Sequence, residues 1–151
     1  MSAIRGASIR ESIDISRSPE DVFAYMTDPR HLPEWQNSAV SARPLDGAPL
    51  HVGSKIAVTR RVGRRRFPMT MEVKELDPPH SWRLRGVDGP VRGDVRATVE
   101  PLGGGTRSRV TLDLDFEGRG IGRVIAPLVV KPYARKEMPR NEEKLKHLLE
   151  H

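Results

Sequence analysis

The sequence predicts an α+β fold in which a curved antiparallel sheet of about seven strands wraps a long C-terminal helix, with two short helices between strands 1 and 2. Three observations lead there. Apolar and polar residues alternate with period 2 in several separate stretches, as half-buried strands require. The segment Ser16–Trp35 packs a helix start, two breaks and an aromatic plug between two strand-like stretches. After Gly118 and Gly120 the apolar period changes toward 3.6 and stays there to the C-terminus.

The first expected strand covers residues 7–15, with Ile9, Ile13 and Ile15 on one face and Glu11 intruding on that parity. Ser18 then suits an N-cap, Pro19 the first helical position, and Asp21, three residues after the cap, a capping-box-like start. Val22, Phe23 and Met26 share one face until Asp28-Pro29 stops the helix, because the residue before proline is pushed out of the α region. In a second short helix, Leu32 and Trp35 lie three apart and point into the same interior, with Pro33 tolerated in the first turn.

Residues 55–62 alternate again, with Ile56, Val58 and Val62 on one face and Arg60 as the intruder. A charge turned toward a core is costly unless it is paired or reaches water or a ligand. Residues 67–76 put Phe67, Met69, Met71 and Val73 on one side and Thr70, Glu72 and Lys74 on the other. Pro78-Pro79 ends this strand, Trp82 and Leu84 carry the next, and Gly86–Pro90 supplies a turn. Val91, Val95, Ala97 and Val99, the Gly103-Gly104-Gly105 turn, and Val110, Leu112, Leu114 and Phe116 read as a hairpin. Asp113 and Asp115 take the opposite parity and are expected in solvent.

The terminal stripe runs through Ile121, Val124, Ile125, Leu128 and Val129 to Met138, Leu145, Leu148 and Leu149. Pro127, Pro132 and Pro139 interrupt it, and an interior proline costs a helix about 3 kcal/mol. The expectation is an irregular first half, a regular helix from about Pro139 onward, and burial of the whole stripe against the sheet.

The segment from Ser16 to Trp35 resembles the entry region of the START-like superfamily called SRPBCC, and within it the polyketide cyclase/dehydrase-like group. There S-P-x-x-V-[FW]-x-x-[ML]-x-D-P followed by L-x-x-W is typical. Val52-Gly53, Glu75-Leu76-Asp77-Pro78-Pro79, Glu100-Pro101-Leu102 with Gly103 to Thr106, and Asn141 to Glu150 also match, so the resemblance covers nearly the whole chain. It implies the helix-grip (START-like) fold. That scaffold hosts enzymes, carriers and hormone receptors alike, so function must be argued from the site.

Composition agrees with one domain over residues 1–151, residues 149–151 being readable as the remnant of a tag. A chain of 151 residues buries roughly 70% of its unfolded surface, enough for one core and a modest cavity. No window approaches the roughly 18 apolar residues of a membrane span, and Met1–Arg10 lacks the apolar centre of a signal peptide, so the expected location is cytoplasmic. With no cysteine, the chain can form no disulfide, thiolate metal site or cysteine nucleophile.

The inward faces of the strands and the facing side of the last helix are expected to leave a pocket for a small hydrophobic or aromatic ligand. Its candidate lining is Trp35, Val58, Arg60, Phe67, Met69, Met71, Trp82, Val95, Leu112 and Met138. Methionines adapt to ligands of variable shape, and a buried tryptophan needs a partner for its indole N–H. For each apolar member taken alone, plain core is the stronger reading. Arg60 facing a cavity would bind a carboxylate, phenolate or carbonyl. The alternatives are pairing with Glu11 or a surface group, or a strand slip that turns Arg60 outward.

No catalytic residue is assigned. His31, His51, His80, His147 and His151 occupy turns or helix ends, and no histidine spacing suits a metal, so neither metal nor cofactor is expected. No Gly-x-Ser-x-Gly turn is present. Gly118–Gly122 lacks the full dinucleotide spacing and reads as a hinge into the last helix.

Net charge is +6, and Arg60, Arg61, Arg64, Arg65 and Arg66 crowd a hairpin around Gly63. Such a cluster suits phosphates or acidic head groups, hence a transient membrane-surface contact. With aromatics only 5% of the chain and no nucleic-acid motif, a specific nucleic-acid partner is not expected. Oligomeric state is not readable. Three functions remain open: a binding module for a hydrophobic ligand, a polyketide cyclase/dehydratase-like enzyme working largely by orientation, and binding of a phosphate-rich partner through the arginine hairpin.

Overall fold

Seven strands form one antiparallel sheet in the order β1-β7-β6-β5-β4-β3-β2 in the computed structural model, which describes residues 9–46 and 49–151. They are β1 Ile9–Ile15, β2 Ala39–Pro44, β3 Lys55–Val62, β4 Arg65–Asp77, β5 Ser81–Gly86, β6 Val91–Leu102 and β7 Arg107–Gly118. The first strand was expected from residue 7; residues 7 and 8 lie outside the described residues. β2 is a strand that alternation did not predict. It has a bulge between Ala39 and Ser41 and leaves Val40 exposed, so its apolar period is broken.

Between β1 and β2 sit α1 (Pro19–Met26), a 3-10 turn (Pro29–His31) and α2 (Leu32–Trp35). The Ser18 hydroxyl accepts the Asp21 N–H at 3.2 Å, as its place at the N-cap requires. Pro19, Val22, Phe23 and Met26 are buried, so the apolar face of α1 closes one part of the core. Leu32 and Trp35 bury a second wedge beside it.

A bulge between Val73 and Glu75 changes the parity of β4. Lys74 is the extra residue, so Glu75 stands outward opposite Arg83 while Leu76 turns inward opposite Trp82. The outer face of the sheet is a cross-strand lattice of charges. Arg83 donates to both carboxylate oxygens of Asp94, at 2.9 and 2.8 Å, and Arg96 donates to Glu75 at 2.7 Å. Asp113 does take the outward parity, but it is buried rather than solvated, because Arg10 lies over it and binds its carboxylate.

The C-terminal segment is one run of α3 (Gly122–Ile125), a π turn (Ala126–Val130) and α4 (Lys131–Glu150). The regular helix therefore starts at Lys131 and not near Pro139, which lies inside it. The π turn takes up the irregularity just before Pro132, whose missing N–H falls in the first turn of α4. Met138, Asn141, Glu142, Leu145 and Leu149 of α4 are buried. The expected burial of the whole stripe fails upstream, where Ile121, Val124, Leu128 and Val129 are exposed, and again at Leu148.

Gly118 and Gly122 seat the start of this run. A Cβ on Gly118 would stand 2.0 Å from the Gly122 carbonyl oxygen, and one on Gly122 would stand 1.9 Å from that of Pro90. The glycines of the expected hinge thus permit a backbone contact that no side chain could share. No described helix is long and apolar enough to cross a membrane.

Candidate functional site

Strand register decides which side chains face α4. Val58 stands opposite Met69, Arg60 opposite Phe67, Trp82 opposite Ala97, Val95 opposite Leu114 and Leu112 opposite Glu11. Directly opposed residues share a face. One continuous inner face therefore carries Ile56, Val58, Met69, Met71, Val73, Trp82, Leu84, Val95, Ala97 and Leu112, together with the two charged intruders Glu11 and Arg60.

Of the ten sequence candidates, Trp35, Val58, Met71, Trp82, Leu112 and Met138 are buried in the core, and Met69 and Val95 are partly buried against it. Arg60 is half-buried and Phe67 is exposed at 44%. Phe67 holds the predicted parity but stands near the β3–β4 turn, where the core no longer covers it. The inner face is thus sealed at one end. At the other, Val62, Met69, Val91, Val95, Leu114 and Phe116 each keep some contact with solvent.

The strand has not slipped, and Arg60 does not pair with Glu11. Its Nη1 donates to the Ser38 hydroxyl at 2.9 Å. Loss of water lowers the Arg60 pKa and the Glu137 carboxylate raises it again. Glu137 lies on α4, so the guanidinium bridges the β2 end of the sheet toward the helix. Glu137 Oε2 accepts from Asn141 Nδ2 at 2.9 Å, and Asn141 Oδ1 accepts from the Asn37 N–H at 3.0 Å. These bonds tie the end of α2 to α4.

Glu142 is the group that sequence reasoning missed. It is 2% exposed, and its Oε2 finds no hydrogen-bond partner among the described residues. Burial first, then the Glu11 and Glu143 carboxylates, push its pKa up to about 8. A carboxyl in such surroundings carries a proton at neutral pH, since a lone buried charge is more costly than a neutral acid. Glu137 Oε1 and the indole Nε1 atoms of Trp35 and Trp82 are likewise buried and unpartnered. A signal for these residues existed. Asn141 and Glu142 lie three and four positions after Met138 and four and three before Leu145, on the apolar stripe of α4, as Glu11 and Arg60 lie on those of their strands.

The His31 ring stacks on Tyr25 at 4.2 Å, and His51 Nδ1 lies 3.0 Å from the Ser54 hydroxyl. No group of three or more metal-ligating side chains is present among the described residues. A cleft of about 780 Å³ lies between α1, the 3-10 turn and the β4–β5 turn, lined by Phe23, Thr27, Pro29, Leu50, Leu76 and Pro79 among others. It shares no residue with the ten candidates.

Known proteins place this architecture. The family model described as polyketide cyclase / dehydrase and lipid transport matches residues 6–150. A curated relative from Mycobacterium tuberculosis, named only as an uncharacterized protein, is 30% identical over 116 residues, covering 76% of this chain and 80% of that protein. Among solved structures, a START superfamily protein from Mycobacterium smegmatis superposes with a TM-score of 0.76 at 17% identity, covering 96% of this chain and 98% of that one. The di-domain ARO/CYC BexL from the BE-7585A biosynthetic pathway gives 0.71 at 15% identity, covering 92% of this chain and 45% of that one. At such identities the two structures establish the fold alone.

Proposed function

The chain belongs to the polyketide cyclase / dehydrase and lipid transport family, and from that premise we propose that it encloses a small, largely apolar or aromatic molecule between the inner face of the sheet and α4. One observation carries this reading: Trp35 Nε1, Trp82 Nε1, Glu137 Oε1 and Glu142 Oε2 are buried with no hydrogen-bond partner among the described residues. Leaving such a group unsatisfied costs roughly 1–3 kcal/mol. A ligand with an apolar body and one or two oxygen functions would relieve that cost, taking hydrogen bonds from the indoles and from the protonated Glu142. Arg60, already desolvated beside Ser38 and Glu137, would take a carboxylate, phenolate or carbonyl. The half-covered row through Met69, Val95, Leu114 and Phe116 is the way in.

Native mass spectrometry of freshly purified protein tests this directly by showing a retained ligand. A panel of polyaromatic, sterol and fatty-acid compounds should contain at least one that raises the melting temperature at saturating dose, because it binds only the folded state. A flat response across the panel sinks the proposal. Arg60→Ala should weaken anionic ligands more than neutral ones; equal losses would remove Arg60 from recognition.

Glu142 favours a second reading, in which the same chamber is a cyclase/dehydratase-like active site. A carboxyl poised near neutral pH can give a proton to a departing hydroxyl or a developing enolate oxygen. Glu142→Gln would then abolish turnover while leaving binding measurable. In a pure binding protein the same variant changes affinity alone.

A further inference from the structure

The upstream half of the C-terminal run rests on the sheet only through Gly122 and Ala126 and otherwise carries an open surface of unusual chemistry. Ile121 and Leu128 are each 69% exposed, and Val124, Val129 and Tyr133 are exposed with them. Only Gly122 and Ala126 are buried between Ile121 and Tyr133. Isolated exposed apolar residues need no explanation, but five large ones in a single helical run form a patch that implies a partner.

Cations interleave and surround the patch. Arg119, Arg123, Lys131, Arg135 and Lys136 lie within or beside it; Arg119 and Lys131 pair with Glu117 and Asp115 of β7 at 3.5 and 3.7 Å, and the run itself holds no acidic residue between Arg119 and Lys136. The β3–β4 hairpin adds to the same surface, since Arg60 at its base bonds to Ser38, and the adjacent Asn37 N–H is held by Asn141 of α4. Arg64, Arg65 and Arg66 extend from that hairpin, exposed, and make no ion pair with the described residues.

We propose that the Ile121–Tyr133 run and the Arg61–Arg66 hairpin together form a docking surface for an anionic lipid bilayer. The boundary between head groups and acyl chains takes apolar side chains while the phosphates take cations, and this surface presents both in one place. The chemistry disfavours other occupants. A second copy docking patch to patch would set arginines against arginines. A nucleic acid would meet the cations but leave Ile121, Val124 and Leu128 in water. Docked in this way, the protein would bring the less covered end of its inner face, with Phe67 and Met69, toward the bilayer. That last step rests on the ligand chamber proposed above; the docking itself does not.

The test is flotation of the full chain, with no added ligand, on phosphatidylcholine vesicles and on phosphatidylcholine–phosphatidylglycerol vesicles at low and high salt. Binding should require the anionic lipid and fall steeply with salt. Leu128→Ser with Val129→Ser, and separately Arg64→Glu with Arg65→Glu and Arg66→Glu, should each weaken it at least tenfold while circular dichroism and melting temperature stay as in the parent. No binding to either vesicle, or equal binding to both, overturns the proposal. So does a concentration-dependent dimer abolished by the Leu128/Val129 pair, or oligonucleotide binding that needs the arginines but not that pair. Because no ligand is present, failure here is separate from failure of the chamber.

Discussion

The two halves of the C-terminal helical run solve opposite problems. From Ile121 to Tyr133 it holds large apolar side chains in water, whereas from Met138 to Leu149 it holds a carboxyl, Glu142, in the core. Hydropathy alone would have reversed both placements. The difference teaches that a periodic pattern identifies a helix and its stripe, while the length of sheet beneath decides how much of that stripe is covered. Burial and chemistry disagree at Glu142 and at Leu128, and the ligand chamber and the docking surface proposed above are argued from these two positions.

The sharpest way to break the comparison is to remove the buried acid. The Glu142 pKa is raised in the fold from its ordinary 4.5 to about 8. The bound proton therefore favours the folded state fully below about pH 4.5, and that contribution is lost as pH rises through 8. Between those two limits stability falls by an amount on the order of 5 kcal/mol. Glu142→Gln should flatten the decline and leave the variant the more stable protein at alkaline pH. Urea denaturation of both proteins at mildly acidic and mildly alkaline pH measures it, and a parent whose stability does not fall over that window refutes it.

Next in size is the core itself. Leu145 is fully buried, so Leu145→Ala should cost about 2–5 kcal/mol in the same assay. The matched change Leu128→Ala should stay within about 0.5 kcal/mol, as for an exposed site. Equal costs would mean that the upstream half is packed after all. Gly122→Ala should cost about 1–3 kcal/mol, because its Cβ would collide with the Pro90 carbonyl and the backbone would have to shift. A variant as stable as the parent would show that the contact is loose.

Much of the architecture was legible because its signals are local. Ser18, Pro19 and Asp28-Pro29 bracket α1 through capping and proline sterics, and period-2 alternation marks β1, β4, β6 and β7 even though Glu11 intrudes in β1 and a bulge shifts β4 after Val73. β2 escaped because its bulge breaks the period and Val40 faces out. The early start of α4 escaped because Pro127 falls in the π turn and Pro132 in the first turn of α4, where neither breaks the helix, while Pro139 is carried in the helix interior. At the site, parity placed Arg60 and Glu11 on the inner face, but Asn141, Glu142 and Glu137 went unread. The same intruder argument was available on the helix, where two polar residues interrupt the spacing from Met138 to Leu145.

The sequence by itself determined which residues form strands and helices and which faces they offer, since both follow from backbone sterics and side-chain period. Tertiary structure decided which faces are covered. Pairing of seven strands set how far α4 reaches across the sheet, leaving Leu128 in water and Glu142 without it. Desolvation and unmet hydrogen bonds arise from neighbours distant in the chain, such as Glu11 opposite Leu112 and close to Glu142. No local pattern carries that information.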